Sequence, residues 1–306
     1  VRHTITIEGC VREYLVVGTV KSASKRPLIL VLHGGSRNAS KAMSEDSDGA
    51  WNRAVAAKGE GALLIFPEGR PQDRLGRSRS WNDCRADVAR SDPGYSDWND
   101  VAFIDALIER TVQTMDVDPD RVYASGASNG GMMVYRLSEE LPGRFAALAA
   151  EIANSPANSE CTPVDAAPPP LYIVTGSADR LMPAAGGCVA GDCAKGRVQS
   201  IGQTVEYWRA RLRATQSSAP RELPDSDRDD HSVIVRTVYT GESPTQILVH
   251  DVAVGGGHSA PGGPQWPRFV RERMDIGWRN RDIVAAEEQT AFFLRFRLSD
   301  RTRPGR

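Results

Sequence analysis

Ser128 stands in the run Gly126-Ala127-Ser128-Asn129-Gly130, which has the Gly-x-Ser-x-Gly spacing of a nucleophile elbow. Such a turn is so tight that side chains two residues either side of the serine collide with backbone, so both flanking positions require small residues. The turn lifts the hydroxyl over the end of a sheet. A helix starting at Asn129 would aim its free N–H groups and positive dipole end at any oxyanion formed there. A serine hydroxyl is a poor nucleophile without a base beside it. Of the five histidines, His3 is terminal, His33 precedes a glycine pair, His231 borders an acidic run and His250 lies inside a strand pattern. His258 follows Gly255-Gly256-Gly257 on what reads as a flexible loop, from which an imidazole can swing to Ser128. Asp179, just past the strand pattern ending at Gly176, is the carboxylate that would fix the imidazole tautomer and stabilise its cation. Asp192 and the acidic run 225–230 are alternatives for the acid, though neither follows a central strand pattern.

The chemistry these residue types support is acyl transfer. His258 takes the Ser128 proton and returns it to the leaving alcohol. The N–H of Asn129 and one from Gly35 or Ser36 would hold the oxyanion, and each such donor is worth roughly a hundred- to a thousandfold in rate. The Asn129 side chain is not the donor in this reading. Trp81 and Asn82 are placed as substrate-binding residues, with Trp81 either an apolar wall or the anchor of its own loop. No Cys-x-x-Cys pairs or histidine clusters suit a metal, and the run 225–230 lacks the closing Glu of a calcium loop and reads as a solvated turn. Neither metal nor cofactor is expected.

Strands must deliver these groups to one rim. Residues 4–7 and 12–18 suggest an opening antiparallel hairpin. Pro27 to Leu32, Ala62 to Pro67, Arg121 to Gly126, Phe145 to Ile152, Leu171 to Gly176 and Gln246 to Val254 read as buried strands. Helices are expected at Ala50 to Lys58, from Asp100 with Asn99 or Asp97 as cap, from Asn129, from Ser200, and at Ala285 to Arg297. The last would pack Ala291, Phe292, Leu294 and Phe296 on the sheet. Gly69 to Asp97 reads as a long loop, Asp118-Pro119-Asp120 as a turn, and Ser232 to Tyr239 as an edge strand. Strands alternating with helices imply an α/β fold with a mostly parallel central sheet, helices on both faces, and ligands at the carboxyl ends of the strands. The order Ser128, Asp179, His258 is that of an α/β-hydrolase triad. With no repeat or dividing linker, residues 1–306 are taken as one catalytic domain.

The chain has 306 residues, 38 Lys and Arg against 39 Asp and Glu, and a net charge of −1. With both signs interspersed, it offers no basic face for nucleic acid and no polybasic tail for a membrane. Five cysteines make an odd count. Cys188 and Cys193 can close a small loop, and Cys84 with Cys161 a larger one; such bridges suit an exported protein whose signal has been removed. Reduced, buried cysteines are the alternative.

Taken together, Gly126-Ala127-Ser128-Asn129-Gly130-Gly131-Met132-Met133, Leu32-His33-Gly34-Gly35, Ser80-Trp81-Asn82, Gly176-Ser177-Ala178-Asp179 and Gly255-Gly256-Gly257-His258 carry a likeness. The chain resembles, from about Thr4 to Phe296, the secreted esterases of the polyhydroxybutyrate depolymerase and feruloyl esterase group. The resemblance implies Ser128 as nucleophile, Asp179 as acid, His258 as base and oxyanion donors near Gly35 and Asn129. Thr175 stands where that group often has His, and Ala260 where it commonly has Trp. The expectation is therefore a secreted serine carboxylesterase acting on feruloyl, acetyl-xylan or aliphatic polyester substrates, polymers included. A catalytically weak polymer- or carbohydrate-binding module and a serine peptidase are the competing readings.

Overall fold

The strand Arg26–Leu32 is buried at every residue because both of its faces are covered. Leu28, Leu30 and Leu32 point into one apolar layer, while Ile29 and Val31 point into the other, as the two-residue period of a strand requires. The computed structural model describes residues 1–18, 24–92, 94 and 97–302. An 11-stranded sheet runs through the chain. From one edge its strands are Arg2–Ile7, Cys10–Val17, Leu63–Pro67, Arg26–Leu32, Val117–Ala127, Ala147–Glu151, Leu171–Gly176, Ile247–Val254, Val233–Thr240 and Gln216–Ser217, and the eleventh, Arg221–Glu222, also pairs with Val233–Thr240. The middle of this order, from Leu63–Pro67 to Ile247–Val254, is parallel throughout. The fold is that of an α/β-hydrolase.

Helices cover both faces. Asp100–Thr114, capped by the Asn99 side chain, buries Phe103, Ile104, Leu107 and Ile108 in one layer together with Met132, Met133 and Leu137 of the helix Asn129–Glu140. Ile201–Arg211 joins them through Val205 and Trp208, its start fixed by a Ser200–Gln203 capping box. On the other face lie Ala50–Lys58, with Trp51 and Ala54, and Ala285–Phe293, with Phe292 and Phe293.

Several expectations need correction. The segment after Gly69 is a loop carrying a two-residue hairpin, Arg70–Pro71 with Arg79–Ser80, and the helix Ala86–Ser91; positions 93, 95 and 96 of it lie outside the described residues. Asp118 to Asp120 belong to the strand Val117–Ala127 rather than to a turn before it. Val233–Thr240 is not an edge, since Gln216–Ser217 and Arg221–Glu222 both pair on its outer side. In the closing helix Ala291 is exposed, and Phe293 takes the core position instead. The acidic run is not simply solvated. Asp230 is fully buried and accepts from the Ser232 N–H and hydroxyl and from the Arg281 N–H.

Disulfides join Cys84 to Cys161, 77 positions apart, and Cys188 to Cys193, 5 apart, with Cys10 left free and exposed. A bridge stabilises mainly by restricting the unfolded chain, more so for a longer loop. The double variant Cys84→Ser with Cys161→Ser is expected to lose about 2–4 kcal/mol, measured by chemical denaturation. The corresponding change at 188 and 193 should cost clearly less. Equal losses from the two variants would contradict this ordering.

Candidate active site

The turn that carries Ser128 is built by exclusion of side chains. A Cβ on Gly126 would overlap the Gly130 carbonyl, and one on Gly130 would come within 2.5 Å of the carbonyl oxygens of Leu32 and His33. Ser128 between them is held at φ 55°, a left-handed value that a non-glycine residue adopts only when its surroundings enforce it. Here the enforcement is a hydrogen bond from the Ser128 N–H to the Glu151 carbonyl, 2.8 Å, and one from the Met132 N–H back to the Ser128 carbonyl, 2.9 Å.

The structure brings Ser128, His258 and Asp179 together. His258 Nε2 lies 3.0 Å from Ser128 Oγ, and its Nδ1 lies 2.7 Å from Asp179 Oδ2. Asp179 Oδ1 accepts from the N–H groups of Leu181 and Met182 at 2.9 and 2.7 Å, so both carboxylate oxygens are fixed and the one facing the imidazole cannot rotate away. With Nδ1–H donating to the carboxylate, Nε2 presents a lone pair to the hydroxyl. Asp192 and residues 225–230 take no part.

The loop carrying His258 is held rather than flexible. The Gly257 N–H donates to the Trp278 carbonyl at 2.8 Å and the His258 N–H to the Ile276 carbonyl at 2.6 Å. A Cβ on Gly257 would overlap that Ile276 carbonyl. Its glycines serve close approach of two backbones, a different use of the same residue from mobility.

Gly34 and Gly35 abut the turn that carries Ser128, and a Cβ on Gly35 would touch Asn129 Cβ at 3.4 Å. The Ser36 N–H is engaged by the Arg79 carbonyl at 2.8 Å, which removes it as an oxyanion donor and leaves Gly35 beside Asn129. The Asn129 side chain is also occupied: Oδ1 accepts from the Trp81 N–H at 2.7 Å, and Nδ2 donates to the Trp81 carbonyl and to Asp83. Trp81 does not line the cleft. It is 0% exposed, its indole N–H donates to the His33 carbonyl at 2.9 Å, and its ring lies 5.0 Å from the His33 ring. Asn82 is likewise buried, with its N–H on Asp100 and its carbonyl taken by Arg136. Trp81 supports the glycine loop from beneath, through His33. Burial pulls His33 down to about 4, so it stays neutral there, with Nδ1 on the Gly34 carbonyl and Nε2 accepting from the Gly69 N–H.

The cleft over Ser128 has a volume of about 520 Å³, and its apolar wall includes Val88, Met132, Leu181, Val189, Met274 and Ile276. Apart from Met132, which lies in the helix Asn129–Glu140, none of these was singled out in the sequence, because they come from loops and short helices with no strong periodicity.

Glu151 is a second feature the sequence did not flag. It is buried below the turn, accepts from Gln289 Nε2 at 2.5 Å, and burial pushes its carboxyl up to about 7. The unfolded chain loses this proton near the ordinary value of 4.5, while the folded chain keeps it to about 7. The folded state therefore binds more protons between those values, and stability falls as pH rises through that window. Glu151→Gln removes this proton linkage. The loss of stability from pH 5 to pH 7.5 is expected to shrink by about 2–3 kcal/mol in the variant. Denaturation at both pH values checks it, and parallel profiles for the two proteins would refute it.

The chain is similar to several known proteins. Residues 60–157 match the model of the prolyl oligopeptidase family. The chain is 30% identical over 281 residues, 88% of its length and 74% of the relative's, to the putative esterase NocK of Nocardia uniformis subsp. tsuyamanensis. It is 24% identical over 147 residues to the bifunctional acetylxylan esterase/xylanase XynS20E of Neocallimastix patriciarum, covering 46% of this chain and 18% of that protein. Among solved structures, the acetyl xylan esterase from Aspergillus awamori superposes with a TM-score of 0.56 at 14% identity, over 90% of this chain and 98% of that one.

Proposed function

The chain belongs to the esterases of the α/β-hydrolase superfamily, and from that premise we propose a serine carboxylesterase working through an acyl-enzyme. Ser128 is the nucleophile, His258 the general base and then acid, Asp179 the residue that orients it, and the N–H groups of Gly35 and Asn129 form the oxyanion hole. One catalytic domain spans the chain. The observation that carries this reading is the continuous relay from Asp179 through His258 to Ser128, at 2.7 and 3.0 Å.

In mechanism, Ser128 Oγ attacks the ester carbonyl while Nε2 takes its proton. The alkoxide of the tetrahedral intermediate sits against two N–H donors, that of Asn129 at the start of the helix Asn129–Glu140 and that of Gly35 in the loop after Arg26–Leu32. The imidazolium, stabilised by Asp179, protonates the leaving alcohol, and water repeats the sequence to release the acid. The substrates we propose are feruloyl or acetyl-xylan esters or short aliphatic polyesters, and the aliphatic wall of the cleft favours acyl groups larger than acetyl. Two disulfides support secretion, since such bridges persist in oxidising surroundings.

A panel of p-nitrophenyl esters of increasing acyl length, methyl hydroxycinnamates, acetylated xylan and polyhydroxybutyrate film tests the reading. Activity is expected to peak beyond acetyl. A strict preference for acetyl esters would overturn the acyl-length part, and no turnover of any ester would overturn the whole. The match to the prolyl oligopeptidase family supports a second reading, a serine peptidase, and cleavage of chromogenic peptides with no ester turnover would establish it instead.

A further inference from the structure

Arg279 lines the cleft that holds Ser128 and His258, yet it is only 3% exposed. Its two terminal nitrogens donate at long range to backbone carbonyls, Nη1 to Pro264 at 3.2 Å and Nη2 to Asp46 at 3.4 Å. Its Nε is buried without a partner among the described residues, and no carboxylate lies within ion-pair distance of it there. A guanidinium has five N–H donors and is rarely buried without a counter-charge.

The three carboxylates that influence it from farther away are Asp46, Asp48 and Glu151, and each is engaged elsewhere. Asp46 pairs with Arg37 at 2.5 Å, Asp48 with Arg53 at 3.4 Å, and Glu151 is bonded by Gln289 and pushed up to about 7. The side chain is also held in position. The Arg279 backbone exchanges hydrogen bonds with the Gln265 amide at 3.1 and 2.5 Å, and its guanidinium lies 5.0 Å from the Trp266 ring. What remains is a cation set into the wall of the cleft with its planar donor edge underused.

We propose that Arg279 is a specificity-determining residue that receives a carboxylate of the substrate, so that the preferred esters bear a free carboxylate on the acyl or the alcohol side. Half-esters of dicarboxylic acids and short oligomers of hydroxy acids ending in a free acid have this chemistry. The proposal rests on the serine esterase reading above and deepens it. A guanidinium meets a carboxylate through two parallel hydrogen bonds, and a site built for such a group rejects an analogue lacking it.

The test uses two substrate pairs, each an anion and its neutral primary amide. They are p-nitrophenyl hydrogen glutarate with its amide, and 3-butyryloxybutyrate with its amide. In at least one pair the wild type is expected to favour the anion by about tenfold or more in kcat/KM. Arg279→Gln should bring that ratio to within about threefold of unity with the neutral ester little changed, while Arg279→Lys retains part of the preference.

No preference for the anion in either pair of the wild type overturns the proposal, whether or not the glutamine variant folds. A preference that survives in Arg279→Gln also overturns it, as does an equal loss on both members of a pair. Failure of the underlying reading looks different: no ester of any kind is cleaved, and a fluorophosphonate probe leaves Ser128 unlabelled.

Discussion

Ser128→Ala is expected to lower kcat on a p-nitrophenyl ester by about ten-thousandfold or more and to abolish labelling by a fluorophosphonate. His258→Ala should fall by a similar factor and Asp179→Ala by somewhat less, because the three act as one unit and their losses do not add. The size of the effect follows from the relay. Without Nε2 at 3.0 Å nothing removes the hydroxyl proton at neutral pH, and without the serine no acyl-enzyme forms. What survives is binding and the two N–H donors, which act on any attacking water. Near-normal activity in Asp179→Ala would reassign the acid. Labelling that persists in Ser128→Ala would move the nucleophile elsewhere.

The second large effect is on stability. Trp81→Ala is expected to cost about 3–5 kcal/mol by chemical denaturation, the range for deleting a fully buried aromatic side chain. The change opens a cavity under the His33 loop and leaves the His33 carbonyl without its indole donor. Because that carbonyl precedes Gly34 and Gly35, kcat should fall along with stability while KM changes little. A variant that unfolds like the wild type but binds substrate worse would show instead that Trp81 does reach the cleft.

Trp81 also illustrates what could and could not be read from the chain beforehand. Runs such as Leu28 to Leu32 and Leu171 to Gly176 declare a doubly covered strand through composition alone, and the glycines around Ser128 declare a turn through what they lack. Those signals are local. The direction in which a loop tryptophan points is set by partners far along the chain, here His33 and Asn129, and composition carries no trace of it. The same holds for Arg279 and Glu151. Their surroundings are assembled from segments as distant as Asp46 and Gln289, so an unpaired cation and a proton-retaining acid look like ordinary surface charges in the linear text. His258 does lie beside Ser128, but not through the loop mobility its glycines suggest. Glycine repeats suggest freedom of movement, but they also permit backbones to touch, and it is this second use that Gly257 makes of them.

The groups placed to react hang from strand ends, whereas Val88, Leu181, Val189 and Met274 come from segments outside the sheet. This separation makes the molecule a tolerant starting point for laboratory evolution. Libraries restricted to those wall positions can reshape acceptance of acyl groups while the reacting centre keeps its framework, since connecting segments absorb change that a strand end does not.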